Sequence, residues 1–209
     1  MTWIKKGQFI VIEELQQKYK TKKQLIENFF LAAFIDSYQR IPKTPCLEEK
    51  IRDMFIADFE RVNPLTKDLF QLKILFPIRE KMINAPMNEQ TRADISLIMP
   101  GFEFIIECKL LKCADSKYLE KGIKRFVQLK YSQNDTEAGM IGFVIEGDIK
   151  RIVDNLRDKV KQFHYASGNE SLLEKKCAQW PHSFQSKHDR ELTPPIHLYH
   201  LFFDFSQPN

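Results

Sequence analysis

The stretch from Arg92 to Leu111, RADISLIMPGFEFIIECKLL, constrains the fold more than any other part of this chain. Two runs rich in β-branched and large apolar residues, Arg92 to Met99 and Phe102 to Leu110, flank Pro100-Gly101. Proline presets φ and glycine supplies a positive φ, so the pair predicts a tight turn and the two runs a β-hairpin. With a two-residue turn Met99 faces Phe102, and opposed residue numbers sum to 201. Asp94 then lies across from Glu107, with Lys109 two residues further along the same face.

That register also sorts the side chains. Ala93, Ile95, Leu97, Met99, Phe102, Phe104, Ile106, Cys108 and Leu110 make one apolar face, while Asp94, Ser96, Ile98, Glu103, Ile105, Glu107 and Lys109 make the other. A slip of one residue would exchange the faces of a strand, so burial favours this register. Opposed carboxylates in a sheet repel each other, and Asp94 and Glu107 call for positive charge between them. A divalent cation with oxygen ligands fits that requirement, and Lys109 adds a second positive group.

Asp94 followed by Glu107-Cys108-Lys109 resembles the D…(D/E)-x-K signature of the PD-(D/E)XK nuclease superfamily, the restriction-endonuclease-like proteins. Twelve residues separate Asp94 from Glu107 (107 − 94 − 1), a spacing common in the family's hairpin, whereas Ala93 stands where the name-giving proline would be. The resemblance implies an α/β fold with a central mixed sheet flanked by helices. It implies Mg²⁺ or Mn²⁺ on Asp94, Glu107 and the backbone carbonyl of Cys108, with Lys109 orienting or helping to deprotonate the attacking water. In this superfamily the helix before the first catalytic strand often lends a glutamate. By resemblance Glu48 is the candidate for a second-metal or water contact, with Glu49 next in line. Either carboxylate is equally at home in the first turn of a helix through the helix dipole, so both readings stand.

The rest of the chain supplies the setting. Its 209 residues, 43% hydrophobic and 29% charged, suit one globular domain with a substantial core. A net charge of +4 permits a polyanionic partner without demanding one. Cys46, Cys108, Cys113 and Cys177 form no CxxC pair and read as free thiols in a reducing compartment. No leader is expected from Met1-Thr2-Trp3-Ile4-Lys5-Lys6, and the longest apolar run, Phe29 to Ile35, is too short to span a bilayer, so a cytoplasmic protein is expected.

In chain order, residues 1–45 read as an N-terminal helical extension packed on the core, and 46–209 as the nuclease-like domain. Thr21 is placed to cap a helix beginning at Lys22. A second helix begins near Leu47, with Glu48 beside its buried face and Glu49 turned outward. Leu69 to Ile78 is expected as a strand that Pro77 ends, and Arg79 to Thr91 as a loop at the rim of the site. Tyr118 to Tyr131 reads as a helix in which Gly122, about 1 kcal/mol worse than alanine there, signals close packing. Ala138 to Glu146 reads as a central strand and residues 149–164 as an amphipathic helix capped by Asp148. Ala166 to Pro195 is expected as polar loop, and Ile196 to Phe205 as a last strand.

Candidate contacts to a nucleic-acid backbone are Lys124 and Arg125 on the helix after the hairpin, with Arg125 beside its apolar stripe. Ser186-x-His188-x-Arg190 resembles a segment of some members of this nuclease-like group, and Ser186, His188 and Arg190 are candidates to bind a phosphate or position a water; a surface loop fits equally. The expected function is a Mg²⁺- or Mn²⁺-dependent nuclease acting on DNA in preference to RNA, of restriction or phage-defence type, with a homodimer or partner subunit and no membrane. The alternative is a nucleic-acid-binding, nuclease-like subunit of a larger defence or repair complex that is inactive alone. No Gly-rich phosphate loop or G-x-S-x-G elbow supports another enzyme class.

Overall fold

In the computed structural model, which describes residues 6–84, 90–132, 135–163, 171–173, 176–191 and 193–206, the Pro100-Gly101 turn joins two long antiparallel strands. The strands of the chain are β1 (Phe76–Asn84), β2 (Gln90–Met99), β3 (Phe102–Leu111), β4 (Glu137–Val144), β5 (Ser171–Leu173), β6 (Ser183–His188) and β7 (Ile196–Asp204). They form one seven-stranded sheet in the order β1-β2-β3-β4-β7-β6-β5. The pairs β3·β4 and β4·β7 are parallel and the others antiparallel, so the sheet is mixed. Met99 faces Phe102 and Ile95 faces Ile106, the expected register.

Helices cover both faces, giving an α/β layer architecture. On one side lie α2 (Lys22–Leu25), a π-helical turn (Ile26–Leu31), α3 (Ala32–Arg40) and α4 (Glu48–Arg61). α1 (Lys6–Lys18) precedes them, and α5 (Lys67–Gln71) follows. The Thr21 hydroxyl accepts from the Gln24 amide as an N-cap. Phe30 then stacks on Phe102 and Phe104 of the hairpin, with centroids 5.5 and 5.7 Å away. The apolar face of the hairpin, from Ile95, Leu97 and Met99 to Phe104, Ile106 and Cys108, is buried against these helices. A buried polar knot ties α3 to the far end of α4, with Arg40 2.6 Å from Asp58 and Asn63 2.8 Å from the Ser37 hydroxyl. The first two turns of α4 carry Glu48 and Arg52, which reach the Leu110 amide of β3 and Asp94 of β2.

The opposite face is covered by a π-helical turn (Leu119–Ile123) running into α6 (Lys124–Val127), and by α7 (Ile149–Gln162), whose N-cap Asp148 accepts from the Arg151 amide at 2.7 Å. β4 is buried along almost its whole length between the layers. Among the described residues, no helix is long and apolar enough to cross a membrane.

Several expectations are corrected. Lys67–Gln71 is helical and β1 starts only at Phe76, extending through residues read as loop. Pairing with β2 overrides the weak local signal, and Pro77 is tolerated because β1 is the edge strand. Positions 85–89 of that expected loop lie outside the described residues. Ala93 belongs to the other core from Ile95, packing with Ile105, Phe126 and Tyr131. The β1·β2 ladder is interrupted at this point: Arg79 pairs with Ile95 and Lys81 with Ala93 in one continuous register, while Glu80, with φ of +50°, and Asp94 between them are unpaired in it. The Tyr118 helix stops at Val127, so Tyr131 folds back toward the hairpin. The stretch read as polar loop after Ala166 contributes β5 and the largely buried β6.

Candidate active site

Asp94, Glu107 and Lys109 meet where the hairpin opens. The β2·β3 ladder ends at Ile95 and Ile106, one step short of the carboxylates. There the Cys108 amide donates to Asp94 Oδ2 at 2.7 Å, and Arg52 Nη1 from α4 lies 2.9 Å from Asp94 Oδ1. Glu107 is fully buried. Its Oε1 receives Lys109 Nζ at 2.5 Å and Arg125 Nη1 at 2.7 Å, whereas Oε2 has no hydrogen-bond partner among the described residues. Lys109 Nζ also donates to the Cys108 carbonyl at 2.7 Å and stands 3.9 Å from Asp94 Oδ2.

These groups open into a cleft of about 670 Å³ lined by Asp94, Glu107, Lys109 and Arg125 and, from β1 and β2, by Glu80, Met82 and Arg92. Burial pushes the Glu107 carboxyl up to about 7; the Lys109 ammonium opposes that shift and the Asp94 charge adds to it. Glu48 accepts from the Leu110 amide at 2.9 Å, and burial, then the charge of Asp94, raises its pKa. Glu48 thus stands behind the pair, with its carboxylate on the β3 backbone, and Glu49 is exposed.

Packing explains how Arg125 gets there. The π-helical turn before α6 brings Gly122 so close to β4 that a Cβ would lie 2.5 Å from Met140 Cε and 3.9 Å from Lys109 Cε. This is the close contact the glycine signalled, and π-bulges are frequent at functional sites. Arg125 also donates to the Tyr131 hydroxyl at 2.7 Å, and that hydroxyl donates to the Arg92 carbonyl.

The other candidates fall elsewhere. Lys124 pairs with Glu120 at 2.9 Å on the helix surface. His188 is buried in β6, and the Ser186 hydroxyl is hydrogen-bonded at 2.7 Å to both His188 and His200. Burial pushes His188 down to about 4, so it is neutral at pH 7. Arg190 donates to the carbonyls of Pro194, Ser132 and Asp135. These residues form an internal clamp instead of a surface loop offered to phosphate. Sequence reading missed Arg52, Glu80, Arg92 and Tyr131. Arg52 alone left a trace: it lies four residues after Glu48, on the same helix face.

The donor set can be tested against a hard divalent cation. Asp94 and Glu107 offer carboxylate oxygens, and the buried Glu107 Oε2 has no hydrogen-bond partner among the described residues. Among the described residues no group of three or more His, Cys, Asp or Glu side chains is arranged to hold a metal ion. A Mg²⁺ site needs none, since that ion is commonly held by one or two carboxylates with water and substrate phosphate completing its shell. In donor chemistry, the Asp94 and Glu107 carboxylates suit such an ion.

Compared with models of known families, with curated proteins and with solved structures, the chain matches none.

Proposed function

We propose that this chain is a divalent-metal-dependent nuclease of the restriction-endonuclease-like type, hydrolysing phosphodiester bonds of DNA in preference to RNA. The observation that carries the reading is Glu107: a fully buried carboxylate with one oxygen unpartnered among the described residues, beside Asp94 and Lys109 in an open cleft. Such an arrangement costs stability and is hard to account for by packing alone. A Mg²⁺ or Mn²⁺ ion on Asp94 and Glu107 would polarise the phosphate and generate a nucleophile near neutral pH.

The chain's own residues supply the rest. Lys109 Nζ, already 2.5 Å from Glu107 and 3.9 Å from Asp94, is placed to hold a water by hydrogen bonding and to offset charge at phosphorus. Arg125, partly exposed on the cleft wall, is placed to meet a phosphate oxygen once Glu107 is otherwise neutralised. Glu48 fixes the β3 backbone through the Leu110 amide and so holds Glu107 and Lys109 in register.

A second reading, a nucleic-acid-binding subunit that needs a partner for turnover, is favoured by the ion pairs of Arg52 with Asp94 and of Lys109 and Arg125 with Glu107. Incubation with supercoiled plasmid, linear DNA and RNA in Mg²⁺, Mn²⁺ or EDTA separates the two. Metal-dependent cuts favour the nuclease, and retention of nucleic acid without cuts favours the subunit.

A further inference from the structure

We infer that Arg52 is a positioning residue that occupies Asp94 in competition with a divalent cation and passes to Glu80 when the cation binds. The inference rests on the metal-dependent reading of the Asp94–Glu107 pair. Arg52, Lys109 and Arg125 are already seated on the carboxylates of Asp94 and Glu107, with Glu48 behind them on the β3 backbone. A divalent ion added to this half-buried cluster leaves it with surplus positive charge, which a low-dielectric setting penalises. One of the bases must therefore give way.

Among the described residues Arg52 is the one of these bases that already lies within ion-pair distance of a carboxylate outside the trio. The ion pairs of Lys109 and Arg125 within this site are confined to Asp94 and Glu107. Arg52 is 2.9 Å from Asp94 and also 3.8 Å from Glu80, a carboxylate outside the acidic trio. It is 9% exposed, its buried Nε has no hydrogen-bond partner among the described residues, and its Nη1 lies 3.4 Å from the Asp94 carbonyl, so its present hold is incompletely satisfied. Glu80 stands across the sheet from Asp94 at the one gap in the β1·β2 ladder, with φ of +50°. That conformation is costly for a residue with a side chain and turns Glu80 into the cleft. On its outer side Glu80 is anchored by Arg92 at 2.7 Å.

The test is Mn²⁺ binding to the full chain, read by titration calorimetry without nucleic acid. Arg52→Gln removes the competitor and is expected to bind Mn²⁺ about tenfold more tightly than the wild type. Glu80→Gln removes the landing place and is expected to bind it several-fold more weakly. A dissociation constant that is unchanged or larger in Arg52→Gln overturns the inference. Should that variant fail to fold, Glu80→Gln, altered at a half-exposed side chain, decides: unchanged binding overturns the inference. Asp94→Asn distinguishes the two levels. If the wild type binds no Mn²⁺, or Asp94→Asn binds it equally well, the metal-site reading falls and this inference with it. If binding is lost in Asp94→Asn but unaltered in Arg52→Gln, only the role of Arg52 falls.

Discussion

Arg125 Nη1 lies 2.7 Å from Glu107 Oε1, which fastens the helix behind the hairpin to the buried carboxylate. The same guanidinium donates to Tyr131, and Tyr131 donates to the Arg92 carbonyl, so one side chain bridges helix, returning loop and strand. We predict that Arg125→Ala lowers cleavage by about 10–100-fold, and that Arg125→Lys recovers only part of it, because a point charge lacks the planar fork. Single-turnover rates on plasmid DNA measure this; a full-rate Arg125→Ala would remove the residue from the mechanism.

Glu107 gives a pH prediction for the metal-free protein. Its carboxyl titrates at about 7 in the folded chain, chiefly through burial, against 4.5 for an ordinary glutamate. The native state thus holds this proton more tightly than the unfolded state. Its contribution to stability is complete below the unfolded pKa and is lost as pH rises toward about 7. Glu107→Gln keeps the shape without the charge, so relative to wild type it should gain on the order of 2 kcal/mol between about pH 4.5 and 7.5. Urea unfolding in EDTA across that range checks it, and a pH-independent difference would contradict it.

Two glycines should respond differently to alanine. At Gly142 a Cβ would lie 2.5 Å from the Phe202 ring and 2.7 Å from Leu111 Cδ1. Overpacking against a ring in a full core costs about 1–3 kcal/mol. At Gly122 the obstacle is the movable end of Met140, and alanine recovers about 1 kcal/mol of helix propensity. Gly122→Ala should therefore stay within about 1 kcal/mol of wild type, while Gly142→Ala should not. Chemical unfolding of both variants decides the order.

Arg190 separates a structural from a recognition role. Its three donors end on the carbonyls of Pro194, Ser132 and Asp135. Removing it strands those acceptors, at roughly 2–3 kcal/mol. We predict that Arg190→Ala lowers the unfolding midpoint and leaves nucleic-acid affinity per folded molecule unchanged, as read by urea unfolding and a binding titration on the same sample.

The hairpin was legible because its alternation, turn and charges agree with one another: Met99 does face Phe102, and Asp94, Glu107 and Lys109 do converge. Thr21, Asp148 and the buried β4 were legible for similar reasons, each being a local signal that tertiary structure leaves in force. β1 was not, because FPIREKMIN has too little β-branched character to stand alone and is a strand only through β2. β6 was hidden likewise, since Ser186, His188 and Arg190 look like surface residues until their hydrogen bonds are traced. Arg52, Glu80 and Tyr131 reach the cleft from other elements, and no spacing within the hairpin encodes their arrival.

The central claim is that Asp94, Glu107 and Lys109 form a metal-dependent hydrolytic site, and its most direct test is the rate of plasmid cleavage in Mg²⁺ or Mn²⁺ by wild type, Asp94→Asn and Lys109→Ala, each confirmed folded. The account predicts cleavage by the wild type that EDTA abolishes, with Asp94→Asn and Lys109→Ala slower by about a hundredfold or more. Equal cleavage by all three proteins, or cleavage that persists in EDTA, would contradict it.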